Sequence, residues 1–447
     1  MPPARQTEAI MIRLINAAIL TMKTDENGEL LPILWDGELH VEGSRILYCG
    51  PAMKDTGDRT FDKTIDCGGN LLMPGFKNAH THSAMTFLRS AADDLPLQEW
   101  LNNYCFPNEA KLTDRDIYTL TKLAILEYIS GGTTAAMEMY LTPETIAQAS
   151  DEMGFRMVQV GGCNNFSQSV KKLEEWYQSL NGKSVLTGFE LGFHAEYTCS
   201  RELIGEISEL AHTLQAPVYA HVSETAGEVL GCRERYGKSP VAFLADEGIF
   251  DYGGAGYHLV HTDEEDVRIL KEKGIGVVSN PSSNAKLASG IAPLSAYLKA
   301  GVTVALGTDG PASNNALDMF REMYLATVLG KLREKDASAV PAPEVLKMAT
   351  LGGSKVLRLP DTDVLAEGKL ADVILVDLHQ PNMQPVQNIP TGLVYNGSKG
   401  NVLMTMIHGK ILFDRFDGRA CYHLPEDPEK IYADCTVIRD RILGKAY

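Results

Sequence analysis

The stretch LLMPGFKNAHTHSAMT, which runs from Leu71 to Thr86, places two histidines one residue apart, His80 and His82, after an apolar run. Side chains of a strand alternate between its two faces, so these two histidines point to the same side. Histidine is uncommon in this chain, with 11 in 447 residues. Two imidazoles on one face fill a core poorly but suit the binding of a metal ion. The stretch therefore predicts a strand that ends at a metal site.

Around this stretch, short apolar runs alternate with longer segments of helical periodicity. One such segment, RDIYTLTKLAILEYIS, is followed by Gly131, a typical residue for the end of a helix. Eight alternating strands and helices predict an α/β fold, a (β/α)₈ TIM barrel with a parallel sheet. The apolar runs are residues 70–80, 133–140, 155–163, 185–194, 216–224, 253–261, 274–284 and 302–309.

The two ends of the chain have a different pattern. Short β segments such as MIRLINAAILTM and VLMTMIHGKILFD follow one another, with Gly and Asp between them. Pieces of this kind from both ends are expected to form one small β-sandwich beside the barrel. The expected division is 1–69 for the N-terminal part of the sandwich, 70–360 for the metal-dependent barrel, 361–425 for the C-terminal part of the sandwich and 426–447 for a helical tail.

Composition excludes several classes of function. Hydrophobic residues make up 44% and charged residues 22%, as in a globular protein with a large core. The formal charge of −17 disfavours nucleic acid and anionic membranes as partners. The N-terminal apolar segment is interrupted by charged and polar residues and predicts a strand, not a membrane span or a signal peptide. Eight cysteines without a C-x-x-C pair are typical of reduced thiols in a cytoplasmic protein.

Further polar residues fall where strands of the predicted barrel end. His194 closes the fourth run, and His221 lies late in the fifth. His258 and His261 close the sixth run, and Asp309 ends the eighth. The carboxyl ends of barrel strands meet at one rim, where the sites of such barrels lie. Three imidazoles and one carboxylate suit a catalytic zinc with room for water. A lone histidine is more often structural, but so many at strand ends favour a site.

Six motifs in this order resemble the amidohydrolase superfamily, in particular its 5′-methylthioadenosine/S-adenosylhomocysteine deaminase group: PGFKNAHTH, GFHAEYTCS, HVSET, GYHLVH, SNPSSNAKL and GTDGPASNN. The resemblance covers essentially the whole chain. It implies one divalent metal ion per subunit, zinc, held by His80, His82, His221 and Asp309. It also implies that Glu224 shuttles protons, and that His258 orients the attacking water while Asp309 accepts its proton. In the substrate pocket, it implies that Glu109 binds the ribose hydroxyls and that His194 lines the wall.

Local spacing adds three expectations to this resemblance. Glu224 lies three residues after His221, so it must occupy the loop beyond the strand to face the site. His261 lies three residues after His258, so only one of the two faces the barrel interior, and His261 is expected to be structural. The fourth run, VLTGFELGFH, contains no lysine, which favours one metal ion over a pair bridged by a carbamylated lysine.

The resemblance predicts a zinc-dependent hydrolase of the C–N bond in cyclic amidines. Its expected substrate is a small adenine nucleoside, 5′-methylthioadenosine, adenosine or 5′-deoxyadenosine, and its products are the inosine analogue and ammonia. S-adenosylhomocysteine is less favoured, because Gly161 stands where an arginine would bind its carboxylate and the nearest cations, Lys171 and Lys172, open a helix.

Alternative functions remain open at this point. A deaminase of a free nucleobase or pterin, or a hydrolase of an azine such as a triazine, would not need Glu109. A barrel that serves as a scaffold without catalysis would lack metal ligands. Relatives in the superfamily commonly self-associate, and the sequence leaves a homo-oligomer open.

Overall fold

The computed structural model describes residues 10–91 and 93–445, and these residues contain seventeen strands. Five strands precede the barrel: β1 Met11–Ile19, β2 Leu34–Glu42, β3 Arg45–Pro51, β4 Lys63–Asp66 and β5 Leu71–Pro74. Eight strands form the barrel: β6 Phe76–Thr81, β7 Thr133–Met139, β8 Arg156–Val160, β9 Thr187–Ala195, β10 Val218–Val222, β11 Gly254–His258, β12 Gly276–Ser279 and β13 Val304–Leu306. Four strands follow it: β14 Val373–Val376, β15 Val402–Ile407, β16 Lys410–Asp414 and β17 Cys421–Tyr422.

The barrel strands pair in parallel and in sequence order from β6 to β13, which confirms the predicted TIM-like architecture. The first and last strands are joined by a few specific bonds near their ends. The amide of Asp309 donates to the carbonyl oxygen of His80 at 3.0 Å. The side chain of Asn78 accepts from the Thr308 amide at 2.8 Å and donates to the Thr308 hydroxyl at 2.7 Å. These bonds bring the residues after β13 next to the histidines of β6.

Helices cover the outside of the barrel, and the predicted segment around residues 114–130 is one of them. It begins at a capping box between Thr113 and Asp116 and ends at Gly131. The helices are α1 Leu97–Trp100, α2 Phe106–Glu109, α3 Asp114–Ser130, α4 Pro143–Met153, α5 Val170–Leu180, α6 Arg201–Leu214, α7 Ala226–Tyr236, α8 Pro240–Asp246, α9 Glu264–Glu272, α10 Pro281–Lys286, α11 Leu294–Ala300, α12 Met319–Glu334, α13 Ala342–Lys347, α14 Gly353–Val356, α15 Ile389–Tyr395 and α16 Pro428–Leu443.

Strands from both chain ends form one structure beside the barrel, as predicted. They are hydrogen bonded as a single mixed sheet of nine strands, in the order β17-β16-β15-β14-β5-β1-β2-β3 with β4 beside β1. The sheet curls: Ile46 of β3 bonds through its amide to Lys369, just before β14. Side chains from both halves, such as Leu39 and Met404, share a core that is separate from the barrel core. The expected β-sandwich is therefore one curled sheet rather than two stacked sheets.

The first predicted strand, residues 70–80, is two strands in the structure. Residues 71–74 pair with β1 and β14 of the mixed sheet, whereas residues 76–81 pair with β7 of the barrel. Gly75 lies between them, and a Cβ atom there would be 2.1 Å from the side chain of Thr134. Only glycine therefore permits the crossing from one sheet to the other. The last barrel strand is also shorter than predicted, ending at Leu306 rather than at Asp309.

Near the end of the described chain, residues 428–443 form α16. The segment read as an N-terminal strand contains β1, and its first nine residues lie outside the described part of the chain. None of the helices in the described residues is both long and apolar enough to span a bilayer.

Candidate metal centre and active site

The four predicted ligands meet at the carboxyl end of the barrel. The potential ligand atoms of His80, His82, His221 and Asp309 all lie within 4.8 Å of one another. His80 belongs to β6 and His221 to β10, while His82 and Asp309 follow β6 and β13. Because side chains of a strand alternate between its faces, His80 and His82 share a face, and both reach the same point. The structure therefore forms a metal site from side chains that are far apart in the sequence.

Hydrogen bonds fix the orientation of two of these rings. Nδ1 of His82 lies 2.5 Å from the carbonyl oxygen of Met139, and Nδ1 of His221 lies 2.8 Å from that of His194. A carbonyl oxygen can only accept, so each Nδ1 carries a hydrogen and each Nε2 is the ring nitrogen left to bind a cation. Carbonyl partners of this kind orient imidazole ligands in metal sites. Both Nε2 atoms are therefore turned towards the metal site.

The distances between the ligand atoms fit one small divalent ion. Nε2 of His80 lies 3.1 Å from Nε2 of His221 and 3.6 Å from Oδ1 of Asp309, and Nε2 of His82 lies 3.2 Å from the same oxygen. Atoms bound to one tetrahedral zinc at about 2.0–2.1 Å are roughly 3.3 Å apart. The donor set of three nitrogens and one oxygen is that of zinc hydrolases.

The protonation states also suit a cation. Burial lowers the pKa of His80 to about 3 and that of His221 well below its usual value, so both rings are neutral ligands at neutral pH. Burial opposes ionisation of Asp309, but the neighbouring imidazoles of His80 and His82 outweigh it and hold its pKa well below the usual range. Burial disfavours a charged His82 as well, yet Asp309 raises its pKa to about 9. A divalent ion would displace that proton.

The two oxygens of Asp309 have different partners. Oδ2 accepts hydrogen bonds from the hydroxyl groups of Ser283 at 2.6 Å and Ser313 at 3.0 Å. Oδ1 accepts from the amide of Gly310 at 2.8 Å and faces the histidines. The two serines thereby keep the carboxylate turned so that Oδ1 lies on the ligand side.

Glu224 and His258 lie next to the ligands and are both buried. As predicted from its spacing, Glu224 lies in the loop after β10; its Oε1 accepts from the hydroxyl of Ser289 at 3.1 Å. Nδ1 of His258 lies 2.7 Å from Oδ1 of Asn284, so Nδ1 carries the hydrogen and Nε2 is free to accept. This Nε2 is 3.9 Å from Oε2 of Glu224. A carboxyl group and an imidazole acceptor thus face one another beside the metal ligands.

His261 occupies a different position from His258. Its Nε2 lies 2.7 Å from the carbonyl oxygen of Ser289, which is the residue whose hydroxyl bonds to Glu224. His261 therefore supports the loop around Glu224 from outside the cavity, in agreement with its predicted structural role.

A cavity of about 600 Å³ opens above this centre, a volume within the usual range for sites of small ligands. Glu109, at the end of α2, and His194, at the end of β9, lie in its wall with Glu224 and Asp309. Burial raises the pKa of Glu109 and lowers that of His194 to about 4. The rest of the wall is mainly apolar and aromatic: Met85, Leu97, Trp100, Leu101, Phe106, Met139, Tyr140, Leu141, Phe166, Tyr197 and Leu287.

No lysine or arginine is among the described residues that line the cavity. Lys171 and Lys172 are exposed on α5, as predicted. Gly161 has no room for a side chain, because a Cβ atom there would lie 2.1 Å from the side chain of Leu173. Apart from the metal ligands, the described part of the cavity wall is therefore neutral or acidic.

Several supporting residues are not recognised by the sequence analysis. Ser283, Ser313 and Asn284 hold Asp309 and His258, and they belong to the motifs SNPSSNAKL and GTDGPASNN without an assigned task. Glu138 is buried in the apolar strand TTAAMEM. A charged residue within an otherwise apolar strand is the signal that could have identified it.

Comparisons with known proteins agree with this geometry. The model of the amidohydrolase family matches residues 71–412. A 5-methylthioadenosine/S-adenosylhomocysteine deaminase from Thermoanaerobacter pseudethanolicus is 39% identical over 411 residues, which are 89% of this chain and 93% of the relative. A 5′-deoxyadenosine deaminase from Methanosarcina mazei is 38% identical over 411 residues, 90% of this chain and 92% of the relative.

A solved structure is similar over nearly the same length. The crystal structure of an adenosine deaminase from Xanthomonas campestris with bound zinc has a TM-score of 0.89 and 31% sequence identity, and the match covers 96% of this chain and 98% of that one. The similarity therefore extends over the barrel and the mixed sheet together.

Proposed function

The chain belongs to the amidohydrolase family, and from this premise we propose that it is a zinc-dependent enzyme that removes the 6-amino group of an adenine nucleoside. The products are the inosine analogue and ammonia. The observation that carries the proposal is the convergence of His80, His82, His221 and Asp309 on one point beneath a cavity that also holds Glu224 and His258. Two of the relatives at 38–39% identity and the zinc-bound structure at 31% identity are named as deaminases of adenine nucleosides, which supports the same reaction.

Four side chains would hold the metal: His80, His82, His221 and Asp309. A divalent ion bound there supplies Lewis acidity, which lowers the pKa of a water molecule towards neutrality. The free Nε2 of His258 would accept a hydrogen bond from that water and direct its oxygen towards C6 of the purine. Oδ1 of Asp309 would take up the proton that the water loses during the attack.

Glu224 would move protons between the ring and the leaving group. Its carboxyl group delivers a proton to the ring nitrogen next to C6, which makes C6 more electrophilic. Asp309 would pass the proton taken from the water to the amino group, and the C–N bond would then break to release ammonia. The proton left on the C6 hydroxyl would return to the carboxylate of Glu224, which restores its protonated form and leaves the carbonyl group of the inosine analogue. Oε1 of Glu224 is held by Ser289, so Oε2, on the side of His258, is the oxygen that would exchange protons.

We also propose that the substrate is a nucleoside with an uncharged 5′ end. Glu109 in the cavity wall could accept hydrogen bonds from ribose hydroxyls, and the aromatic side chains around it suit a purine. The described wall contains three carboxylates and no lysine or arginine to pair with the carboxylate of S-adenosylhomocysteine. This favours 5′-methylthioadenosine, 5′-deoxyadenosine or adenosine over S-adenosylhomocysteine.

Release of ammonia from a panel of compounds tests the proposed reaction. The panel contains 5′-methylthioadenosine, 5′-deoxyadenosine, adenosine, S-adenosylhomocysteine, guanine, cytosine and a chlorotriazine. We expect activity with one or more of the first three and weaker activity with S-adenosylhomocysteine. Activity confined to a free base or to the triazine would contradict the proposal and favour the alternative hydrolase. Absence of any turnover by the zinc-loaded protein would favour a scaffold.

We place the enzyme in the cytoplasm, on the basis of eight cysteines without paired spacing in the sequence. Self-association stays a prediction drawn from the resemblance, and a measurement of mass in solution would test it.

A further inference from the structure

Three buried glutamates surround the metal centre without lining the cavity. Glu138 lies on β7, Glu228 on α7 and Glu322 on α12, and their exposed fractions are 0%, 7% and 0%. The hydrogen-bond partners of their carboxylates within the described residues are N–H groups rather than cations. Buried carboxylates without a cation partner are costly, so their presence requires an explanation.

Glu138 holds the turn that follows the first two ligands. Both of its carboxylate oxygens accept from the amide of Ser83, at 3.0 and 2.9 Å. Ser83 directly follows His82, whose ring is bonded to the carbonyl oxygen of Met139, the neighbour of Glu138. The end of β7 thus fixes both the backbone and the ring at His82.

Glu228 holds the loop that carries Glu224. One of its oxygens accepts from the amide of Ser223 at 2.6 Å and the other from the amide of Glu224 at 2.8 Å. Ser223 has φ of +53°, in the left-handed region that is unfavourable for residues other than glycine. The two bonds compensate this strain and keep the loop after His221 in place.

Glu322 connects two loops around Asp309. One oxygen accepts from the amide of Ser282 at 2.9 Å, and the other accepts from the side-chain amide of Asn314 at 2.7 Å. The same Asn314 nitrogen donates to the carbonyl oxygen of Thr308 at 2.7 Å. The neighbours of these residues, Ser283 and Ser313, are the two hydroxyl donors to Asp309. Glu322 thereby sets the position of both donors.

We propose that Glu138, Glu228 and Glu322 are positioning residues, which fix the three loops that carry the metal ligands and Glu224. A carboxylate is required because it accepts on both oxygens, whereas a glutamine would turn an NH₂ group towards an N–H group. The inference rests on the proposed metal-dependent function. It also predicts a division of roles, since Glu138 and Glu322 act on ligands of the metal and Glu228 acts on Glu224.

The test compares Glu138→Gln, Glu228→Gln and Glu322→Gln with Glu38→Gln. Glu38 is a suitable control because it is buried in the mixed sheet, where it bonds to Arg13 and His40. Zinc affinity is measured by titrating metal-free protein against a chromogenic chelator, and kcat and KM are measured at saturating zinc. Supporting groups of metal ligands typically contribute roughly 10–100-fold to affinity or activity.

We expect Glu138→Gln and Glu322→Gln to bind zinc roughly 10–100-fold more weakly and to regain activity at high zinc. Glu228→Gln should bind zinc normally but lose roughly 10–100-fold in kcat with little change in KM, and excess zinc should not rescue it. Glu38→Gln should match the natural protein in both readouts. Variants that lose only thermal stability, with normal zinc affinity and normal kcat, would overturn the inference.

A second variant covers the case in which Glu322→Gln does not fold. Asn314→Ala removes the link from Glu322 to Thr308 and leaves the carboxylate in place; a tenfold or greater loss of zinc affinity supports the inference, and normal affinity contradicts it. Zinc affinity is measured without substrate. If the protein deaminates no compound of the panel but the variants still lose zinc affinity, the proposed reaction is contradicted and the positioning role of the glutamates is not.

Discussion

The two ends of the barrel both bury charged side chains, but they balance the charges in different ways. At the amino end, Arg156 donates from Nε and Nη2 to the two oxygens of Asp372, at 2.7 and 3.1 Å. Lys77 donates to the carbonyl oxygen of Gly75 at 2.7 Å and to the hydroxyl of Thr134 at 2.9 Å. Lys77 and Arg156 lie within regular strands, and Asp372 joins them to the mixed sheet.

At the carboxyl end, the balance inside the protein is incomplete. Three imidazoles and the carboxylate of Asp309 are packed together, with the carboxylate of Glu224 nearby. His258 and Asp309 have φ of +73° and +58°, conformations that cost about 1–3 kcal/mol each. The amino end therefore satisfies its charges with an ion pair and with hydrogen bonds to neutral groups. The carboxyl end holds ligands and strained residues in place for an ion and a substrate. The buried charges of the amino end thus stabilise the barrel, whereas those of the carboxyl end form the proposed active site.

The largest expected effect separates catalysis from metal binding at the carboxyl end. Glu224→Gln should lower kcat roughly 10²–10⁴-fold, because it removes the group that carries protons. The zinc content should be unchanged, since Glu224 is not among the four ligands. Elemental analysis and steady-state kinetics measure both quantities. Glu234→Gln, an exposed residue on the same helix as Glu228, is the control and should be fully active. Near-normal activity of Glu224→Gln would refute its role.

The second effect concerns the amino end. Asp372→Asn should lower the free energy of unfolding by about 3–5 kcal/mol, because it leaves the buried guanidinium of Arg156 without its counterion. Activity per folded molecule should stay normal, since this pair is remote from the cavity lining. Urea unfolding followed by fluorescence gives the change. Glu265→Gln, which breaks an exposed pair with Arg268, should leave stability unaltered. A loss of kcat in folded Asp372→Asn would contradict the division between the two ends.

A smaller effect is expected in the cavity wall. Glu109→Gln should raise KM for a nucleoside roughly tenfold or more, because hydrogen bonds to a charged group contribute about 1.5–3 kcal/mol. Turnover of free adenine, if any, should not change, since it has no ribose. Kinetics with the two compounds side by side give the comparison, and an equal change for both would remove Glu109 from ribose recognition.

The smallest effect lies in the mixed sheet. Burial opposes ionisation of Glu38, but hydrogen bonds from Arg13, His40 and the Met53 amide outweigh it and lower its pKa from 4.5 to about 2. A carboxylate with a lowered pKa stabilises the fold above pH 4.5, and this contribution disappears as the pH falls towards 2. The stability difference between the natural protein and Glu38→Gln should therefore be constant above pH 5 and shrink below pH 4.5. A stability difference that grows as the pH falls would contradict this prediction, because it would mean that folding raises the pKa of Glu38 instead of lowering it.

The regular part of this architecture could be read from the sequence. Alternation of apolar runs and helical segments predicts the barrel, and the period of two at His80 and His82 predicts their common direction. Because strand ends of a barrel meet at one rim, His221 and Asp309 could be placed beside them. The roles of Glu224, His258, Glu109 and His194 came from the resemblance alone and stay proposals.

Other features could not be read because they depend on distant backbone groups. Glu138, Glu228 and Glu322 bond to N–H groups of loops that are located only by the folded barrel. The split of residues 70–80 depends on the contact of Gly75 with Thr134, and the curled mixed sheet depends on bonds between the two chain ends. Periodicity predicts whether a segment is a helix or a strand and which of its side chains share a face. It does not identify bonding partners that are distant in the sequence, as all of these are.

The number of zinc ions bound per chain is the most direct test of the central claim, that side chains from three strands and the loops beyond them converge to hold one catalytic ion. Protein freed of metal with a chelator is reloaded with zinc, passed through a desalting column and analysed for zinc and protein. The account predicts one zinc per chain in the natural protein and much less than one in a His80→Ala, His82→Ala double variant. No retained zinc, or the same zinc content in both proteins, would contradict it.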